Sequence, residues 1–389
     1  MRILIAHNRY QQMGGEDVVF DFESKALEDA GHDVERFVMD NSSIQNWYDK
    51  ARVAINVSNN KNSVEQFRGR LESFNPEIVH FHNFFPLITP AALSEAASSG
   101  LPTIQTLHNY RALCANGLFF RDGRVCQACT PGSYLPAGLH RCYRGSVPGS
   151  LAVGRMGQQL RIISHRFPKL ITFIAMTKFS KSRFVKGGFD DEQIVIKEHA
   201  IMDPGDGNQS RERKILFVGR LSHEKGADLL CRVAPRIDAE FIIIGGGPEY
   251  DALARIKPHN VTLLGPLPRE VMFKHMKSAT AVAVPSRWFE TGPLTVLEAF
   301  ATGTPVVASD LGTPTELVTH GVTGLLAAPD DDMAWENAFR ELLSSPDATR
   351  EMGRNARAAY LQRFTEEANL RRLTEIYEAA IEKSRASCA

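Results

Sequence analysis

The chain of 389 residues contains no apolar run near the roughly 20 residues that a membrane-spanning helix needs. Its start, Met1-Arg2-Ile3-Leu4-Ile5-Ala6-His7, is too short an apolar stretch for a secretory signal. It reads instead as the first strand of a cytoplasmic protein. Net charge is also missing, since 45 Lys+Arg offset 45 Asp+Glu. With no recognised binding motif, that balance argues against a nucleic-acid partner. No G-x-G-x-x-G follows a strand: "HNRYQQMGGEDVV" and "IGGGPEY" do not supply it, which argues against a nicotinamide dehydrogenase.

What is present fits a globular chain of more than one core. The composition is 43% apolar and 23% charged, and the length predicts two domains. Charge is unevenly spread. Residues 101–200 hold 14 Lys+Arg against 5 Asp+Glu, and residues 1–50 hold 5 against 10. In "RGSVPGSLAVGRMGQQLRIISHRFPKL" and "TKFSKSRFVKGGF" cations alternate with apolar residues. A solvated face would look this way, and so would a surface that meets anionic lipid or a phosphorylated acceptor.

Short β-branched runs followed by helical patterns recur along the chain. They fall at 2–6, 33–38, 77–81, 103–107, 171–176 and 194–198, then at 214–218, 240–244, 261–264, 281–284, 305–308 and 324–327. Nearly continuous apolar strands alternating with helices predict parallel sheets covered on both faces. The Pro/Gly/Asp-rich "IMDPGDGNQSRERK" divides the two sets. The expected layout is a first domain over 1–200, with a Cys-rich insert near 112–145, and a linker at 201–214. A second domain follows over 215–362, then a helix over 363–389 that packs back on the first. Both domains are α/β, doubly wound and Rossmann-like. Ligands of such sheets bind beyond the carboxyl ends of the strands. His7-Asn8, His82-Asn83, His108-Asn109, Gly219-Arg220, Gly265-Pro266 and Ser286-Arg287 all lie there in this reading.

The segment "AVAVPSRWFETGPLTVLEAFATGTPVVASD" carries two acids, Glu290 and Glu298, around a Gly-Pro turn. Pro293 suits the first position of a helix. The Leu294 and Thr295 amides would then be unpaired donors at its positive end, an anion site. Carboxylates beside a bound phosphate need hydrogen bonds from the ligand, and sugar hydroxyls provide them. Taken alone, the two acids also suit a surface and a helix start. In "ILFVGRLSHEKGADLL", Arg220 and Lys225 sit in one loop after a strand, placed to neutralise a diphosphate.

The ordered set of Gly14-Gly15, "TLHN" with His108, "GRL…EKG", "IGGGPEYDAL" and the Glu-x7-Glu pair resembles the retaining glycosyltransferases of family 4. These are part of the glycosyl transferases group 1 superfamily. The likeness runs over nearly the whole chain, although "ETGPLTVLE" stands where many relatives have a form like "EGFGLPVLE". It implies the GT-B fold, two facing Rossmann-like domains with a cleft between them. It implies transfer of a sugar, with retention, from a UDP- or GDP-sugar to a saccharide or polyprenyl-linked acceptor, in envelope, capsule or exopolysaccharide synthesis. Gly15 would approach the donor and His108 the transferred sugar. Arg220 and Lys225 would clamp the diphosphate, with Gly292, Leu294 and Thr295 as backbone donors. Glu290 would hold the sugar, Glu298 the ribose, and the loop at Gly265 would face the base. No catalytic metal is implied. A sugar-nucleotide epimerase and a noncatalytic nucleotide-sugar binder are the alternatives. The place of action would be the cytoplasm, peripheral on the inner face of the membrane.

"VHFHN" raises a metal reading through His80 and His82, but a packed His80 and a His82 bordering the cleft fit as well. Cys114, Cys126, Cys129 and Cys142 have the spacing of a structural zinc site, in an insert with few large apolar residues at regular spacing. Cys231 and Cys388 look incidental.

Overall fold

The computed structural model describes residues 1–11, 14–130, 132–207 and 211–388, with side chains described up to residue 386. Its strands are β1 (Arg2–Arg9), β2 (Asp33–Asp40), β3 (Ile78–Asn83), β4 (Thr103–Thr106), β5 (Phe120–Arg121), β6 (Arg124–Val125), β7 (Ile171–Ala175) and β8 (Ile194–Ile196). They continue as β9 (Glu212–Val218), β10 (Glu240–Ile244), β11 (Val261–Gly265), β12 (Ala279–Val284), β13 (Val306–Ser309) and β14 (Gly324–Ala327). All twelve strands anticipated from the β-branched runs are present. The β5–β6 hairpin was not anticipated, because two-residue strands leave no periodic signal.

The chain forms two units, described separately. The first comprises residues 1–119, 127–199 and 369–389; the second comprises 120–126 and 200–368. In the first, six strands pair in the order β2-β1-β3-β4-β7-β8, all parallel. Alternate residues of β1 serve opposite faces. Ile3 and Ile5 join Phe20, Leu27, Ile78, Ile104 and Ile174 on one of them. Leu373, Ile376, Tyr377 and Ala380, recurring at three- and four-residue spacing on helix Glu366–Cys388, cover that same face.

The second unit has the order β11-β10-β9-β12-β13-β14, again parallel. Its two faces carry separate cores. Ile215, Phe217, Phe241 and Ile243 pack with Trp335 and Phe339 on one. Leu216, Ile242, Ile244 and Val282 pack with Val296, Phe300 and Tyr360 on the other. Strand order reverses between β9 and β12, since the chain builds outward from β9 to β11 and then returns. That reversal opens a crevice at the carboxyl ends of these two strands. The same change of direction lies between β1 and β3 in the first unit.

The structure lends no support to the zinc expectation. Among the described residues, the metal-type donor atoms that gather as a group of three within 4.8 Å of one another are those of Glu23, His80 and His82, with no cysteine sulfur among them. Cys114 is buried and its thiol donates to Asn116 Oδ1 at 3.0 Å. The premise of a missing core fails too. Tyr110, Leu113, Phe119 and Tyr134 are all buried, Tyr110 stacks on Phe184 at 5.6 Å, and the Tyr134 hydroxyl donates to the Ala112 carbonyl at 2.7 Å. Cys231 belongs to a core of the second unit, and the Cys388 side chain lies outside the described residues.

Candidate active site

In the second unit the site is built where the loop after β9 meets the loop after β12. Gly226, at φ 71°, makes this approach possible: a Cβ there would stand 2.1 Å from the Pro285 carbonyl oxygen. The close contact brings Lys225, one residue earlier, onto the β12 loop. Lys225 Nζ donates to Glu290 Oε1 at 2.7 Å. The same oxygen accepts from Ser286 Oγ at 2.7 Å and from Trp288 Nε1 at 3.0 Å. Lys225 also lies over the Trp288 ring, 5.3 Å from its centroid. Glu290 is buried, so each hydrogen bond offsets part of its lost hydration.

The β12 loop is held from beneath. Buried Arg287 bonds both oxygens of Asp228 at 2.7 Å and Asp330 at 2.6 Å, and its backbone amide donates to the Glu224 carbonyl at 2.8 Å. Thus the segment bearing Ser286, Trp288 and Glu290 is pinned to helix Ala227–Val233 and to the β9 loop. Arg220 lies two residues past the end of β9 and is exposed.

Helix Leu294–Ala301 begins one residue later than the sequence predicts. Pro293 is its N-cap, with φ −70° and ψ 102°, and Leu294 is its first residue. The β-region ψ explains the shift, because a capping residue is not yet helical. The opening amides of the helix still have no partner within it. Thr295 Oγ1 donates to the Val218 carbonyl at 3.3 Å, which ties this helix start to the end of β9. Glu298 is buried one turn in, and Arg269 Nη2 donates to its Oε1 at 2.9 Å. Burial pushes the Glu298 carboxyl up, and Arg269 only partly reverses this. Gly265 ends β11 with φ 69° and accepts from the Gly245 amide at 2.9 Å.

The remaining predicted residues lie in the first unit. Gly15 is exposed and opens helix Gly15–Asp29, and the Gly14 amide donates to Asp17 Oδ2 at 2.8 Å. His7 Nε2 lies 2.8 Å from Asp17 Oδ1. Burial raises the Asp17 carboxyl, but the bonds from His7 and the Gly14 amide outweigh it and hold the group below its usual range. His108, just beyond β4, is buried with its Nε2 3.2 Å from His82 Nδ1, one of the two donating. The rings of His82, His108 and His199 stack in succession, with centroids 5.3 and 5.4 Å apart. Burial lowers the pKa of all three, so they are neutral near pH 7.

His80 is packed and bonded at both nitrogens, to the Tyr377 hydroxyl at 2.7 Å and the Thr106 hydroxyl at 2.7 Å. Glu23 is joined to Lys197 in a buried ion pair. With both His80 nitrogens engaged and a cation already on Glu23, this group is a poor metal site. A cavity beyond the ends of β3 and β4 is lined by His82, Asn83, His108, Asn109, Arg111 and Met156.

Sequence reasoning named Lys225 and Glu290 and placed Ser286 at a strand's carboxyl end, but it missed Trp288, two residues before Glu290 in the same loop. Arg269 and the buried Glu23–Lys197 pair had no local signal, because their partners are 29 and 174 residues away.

Comparison with known proteins supplies the family context. Residues 202–359 match the family model described as glycosyl transferases group 1. An uncharacterized glycosyltransferase of Methanocaldococcus jannaschii is 26% identical over 321 residues, covering 79% of this chain and 76% of that one. The D-rhamnosyltransferase WbpZ of Pseudomonas aeruginosa is 34% identical over 159 residues, which is 39% of this chain and 42% of that protein. The crystal structure of Anabaena HepE in complex with UDP superposes with a TM-score of 0.67 at 18% identity, covering 97% of this chain and 100% of that one. The chain therefore has the GT-B fold, and its residues 202–359 are similar to the glycosyl transferases group 1 family.

Proposed function

We propose that the protein is a retaining glycosyltransferase that moves a hexose from a UDP- or GDP-sugar to a saccharide or polyprenyl-linked acceptor, in bacterial envelope, capsule or exopolysaccharide synthesis. The observation that carries this reading is Glu290, a buried carboxylate held by Lys225, Ser286 and Trp288 at the reversal point of the second sheet. Anabaena HepE, which shares the fold, was solved with UDP and with UDP-glucose.

In this reading the diphosphate lies against Arg220, Lys225 and the Leu294 and Thr295 amides, with Gly292 allowing close backbone approach. The bond from the anomeric carbon to the phosphate oxygen breaks, and a bond to the acceptor hydroxyl forms on the same face. The acceptor's proton passes to the departing phosphate oxygen. Fixed positive charge matters most as negative charge grows on the leaving group. Glu290 holds sugar hydroxyls, Glu298 holds the ribose, and the Gly265 loop faces the base. The cavity beside Arg111 and Asn109 receives the acceptor. A lipid-linked acceptor would be met at the inner face of the cell membrane, to which the basic first unit is attracted.

The test is turnover with a panel of UDP- and GDP-hexoses, with product configuration read by NMR. Transfer with retained configuration, seen only when acceptor is present, supports the proposal. Acceptor-independent isomerisation of the donor would show an epimerase, and tight binding without turnover a carrier.

A further inference from the structure

Burial strips an acid or a lysine of its hydration, yet Glu23 and Lys197 are only 1% and 4% exposed. Glu23 lies on the buried side of helix Gly15–Asp29, and Lys197 directly follows β8, so their ion pair closes a separation of 174 residues within the first unit. An apolar pair of similar volume is often as stable as a buried ion pair, so stability alone does not account for it. The second carboxylate oxygen points to another role. Lys197 takes Glu23 Oε1. Glu23 Oε2 and His82 Nε2 are both buried with no hydrogen-bond partner among the described residues, and they face each other at 3.6 Å. That is longer than a hydrogen bond, but in a protein interior a carboxylate at this range still repels a lone pair and attracts an N–H.

A neutral imidazole has one N–H and one lone pair. With the His82 proton on Nε2, toward Glu23, the lone pair of that ring falls on Nδ1. His82 Nδ1 lies 3.2 Å from His108 Nε2, so His108 is the donor between them. The lone pair of His108 then falls on its own Nδ1. His80, with its ring centroid 4.3 Å from that of His82, stays out of this chain, because the Tyr377 and Thr106 hydroxyls engage both its nitrogens. We propose that Glu23 is a positioning residue: acting through His82, it fixes His108 as a hydrogen-bond acceptor at Nδ1. His108 lines the cavity beyond the ends of β3 and β4. Any ligand group that meets Nδ1 is therefore a donor. A sugar hydroxyl satisfies this, whereas a phosphate or carboxylate oxygen does not. The inference deepens the reading of that cavity as the acceptor site; it rests on that reading for the ligand but not for the positions of the protons.

Ring-nitrogen NMR on the full chain with isotope-labelled histidine reads the tautomers directly. In the unaltered protein both His82 and His108 should carry the proton on Nε2. Glu23→Gln should reverse both. Lys197 keeps the amide oxygen, the amide NH2 turns to His82 Nε2, and the two imidazoles must then carry their protons on Nδ1. In the same variant the acceptor kcat/KM should fall by about ten-fold or more, since a ligand hydroxyl would meet an N–H in place of a lone pair. The double variant Glu23→Leu/Lys197→Met removes the pair without leaving a lone buried charge. It should keep the urea midpoint, show mixed tautomers at His108 and lose acceptor kcat/KM as well. A proton on His108 Nδ1 in the unaltered protein, or a His108 tautomer unmoved by Glu23→Gln, overturns the inference. Reversed tautomers with unchanged acceptor kinetics would overturn its ligand half. If the unaltered protein shows no turnover with any donor and acceptor, the transferase reading fails, while the NMR result still decides what Glu23 does.

Discussion

At the scale of single residues, Glu290 and Glu298 differ in what surrounds them. Glu290 Oε1 takes three donors, one of them the Lys225 cation, in the loop that follows β12. Glu298 has Arg269 and sits within the helix. A group that strengthens its hold only as the anomeric carbon becomes cationic affects kcat, whereas uniform binding affects KM. Glu290→Gln should therefore lower kcat by about 10²-fold, equivalent to roughly 3 kcal/mol, with little change in nucleoside-diphosphate affinity. Glu298→Gln should raise the donor KM and weaken the bare nucleotide. Calorimetry on both variants decides the matter, and the reverse pattern would mean the roles are exchanged. The two acids and Lys225 were legible in the sequence as an ordered motif. Their contact was not, because it depends on a 65-residue separation closed by the approach of Gly226 to Pro285.

Between residue and whole lie the elements, and here the sequence spoke most clearly. Runs such as "EFIII" and "AVAV" have no polar interruption, as strands buried on both faces require, and each became a central parallel strand. The amphipathic stripe of the last helix was equally readable, although the surface it would meet was not encoded locally. In the fold its Tyr377 is fully buried, and its hydroxyl bonds His80 Nδ1. Tyr377→Phe should cost about 1–3 kcal/mol, because the ring stays but a buried nitrogen loses its partner. Tyr377→Ala should cost about 3–5 kcal/mol through the added cavity. Urea midpoints measure both. Equal losses for the two variants would show that the hydroxyl, not the ring, dominates.

For the molecule as a whole, the buried histidines set an acid limit. Burial lowers the pKa of His80 and His199 to about 3, and pushes His82 and His108 well below the ordinary value. The unfolded chain binds protons at these sites below about pH 6.5, while the folded chain does not. Stability therefore rises with pH between about 3 and 6.5 and is lost as pH falls through that window. Each histidine adds up to about 1.4 kcal/mol per pH unit to the slope. Urea midpoints should fall steeply from pH 7 to pH 5, and His199→Phe should make the decline shallower. A flat profile over that range would contradict the assignment of neutral, buried imidazoles.

The same architecture has a consequence for biosynthesis. The first sheet's core takes Ile3 and Ile5 from the beginning of the chain and Leu373, Ile376, Tyr377 and Ala380 from near its end, with the second unit's main segment, 200–368, synthesised in between. A ribosome making this protein completes the material of the second unit first, while the earlier-made strands wait with one apolar face uncovered. Folding in order of synthesis is thus inverted: the unit begun first is closed last. Ribosome-stalled chains halted near residue 370 should bear a protease-resistant second unit and a first unit that is still cleaved. Resistance of both at that length would show that the final helix joins a domain already folded.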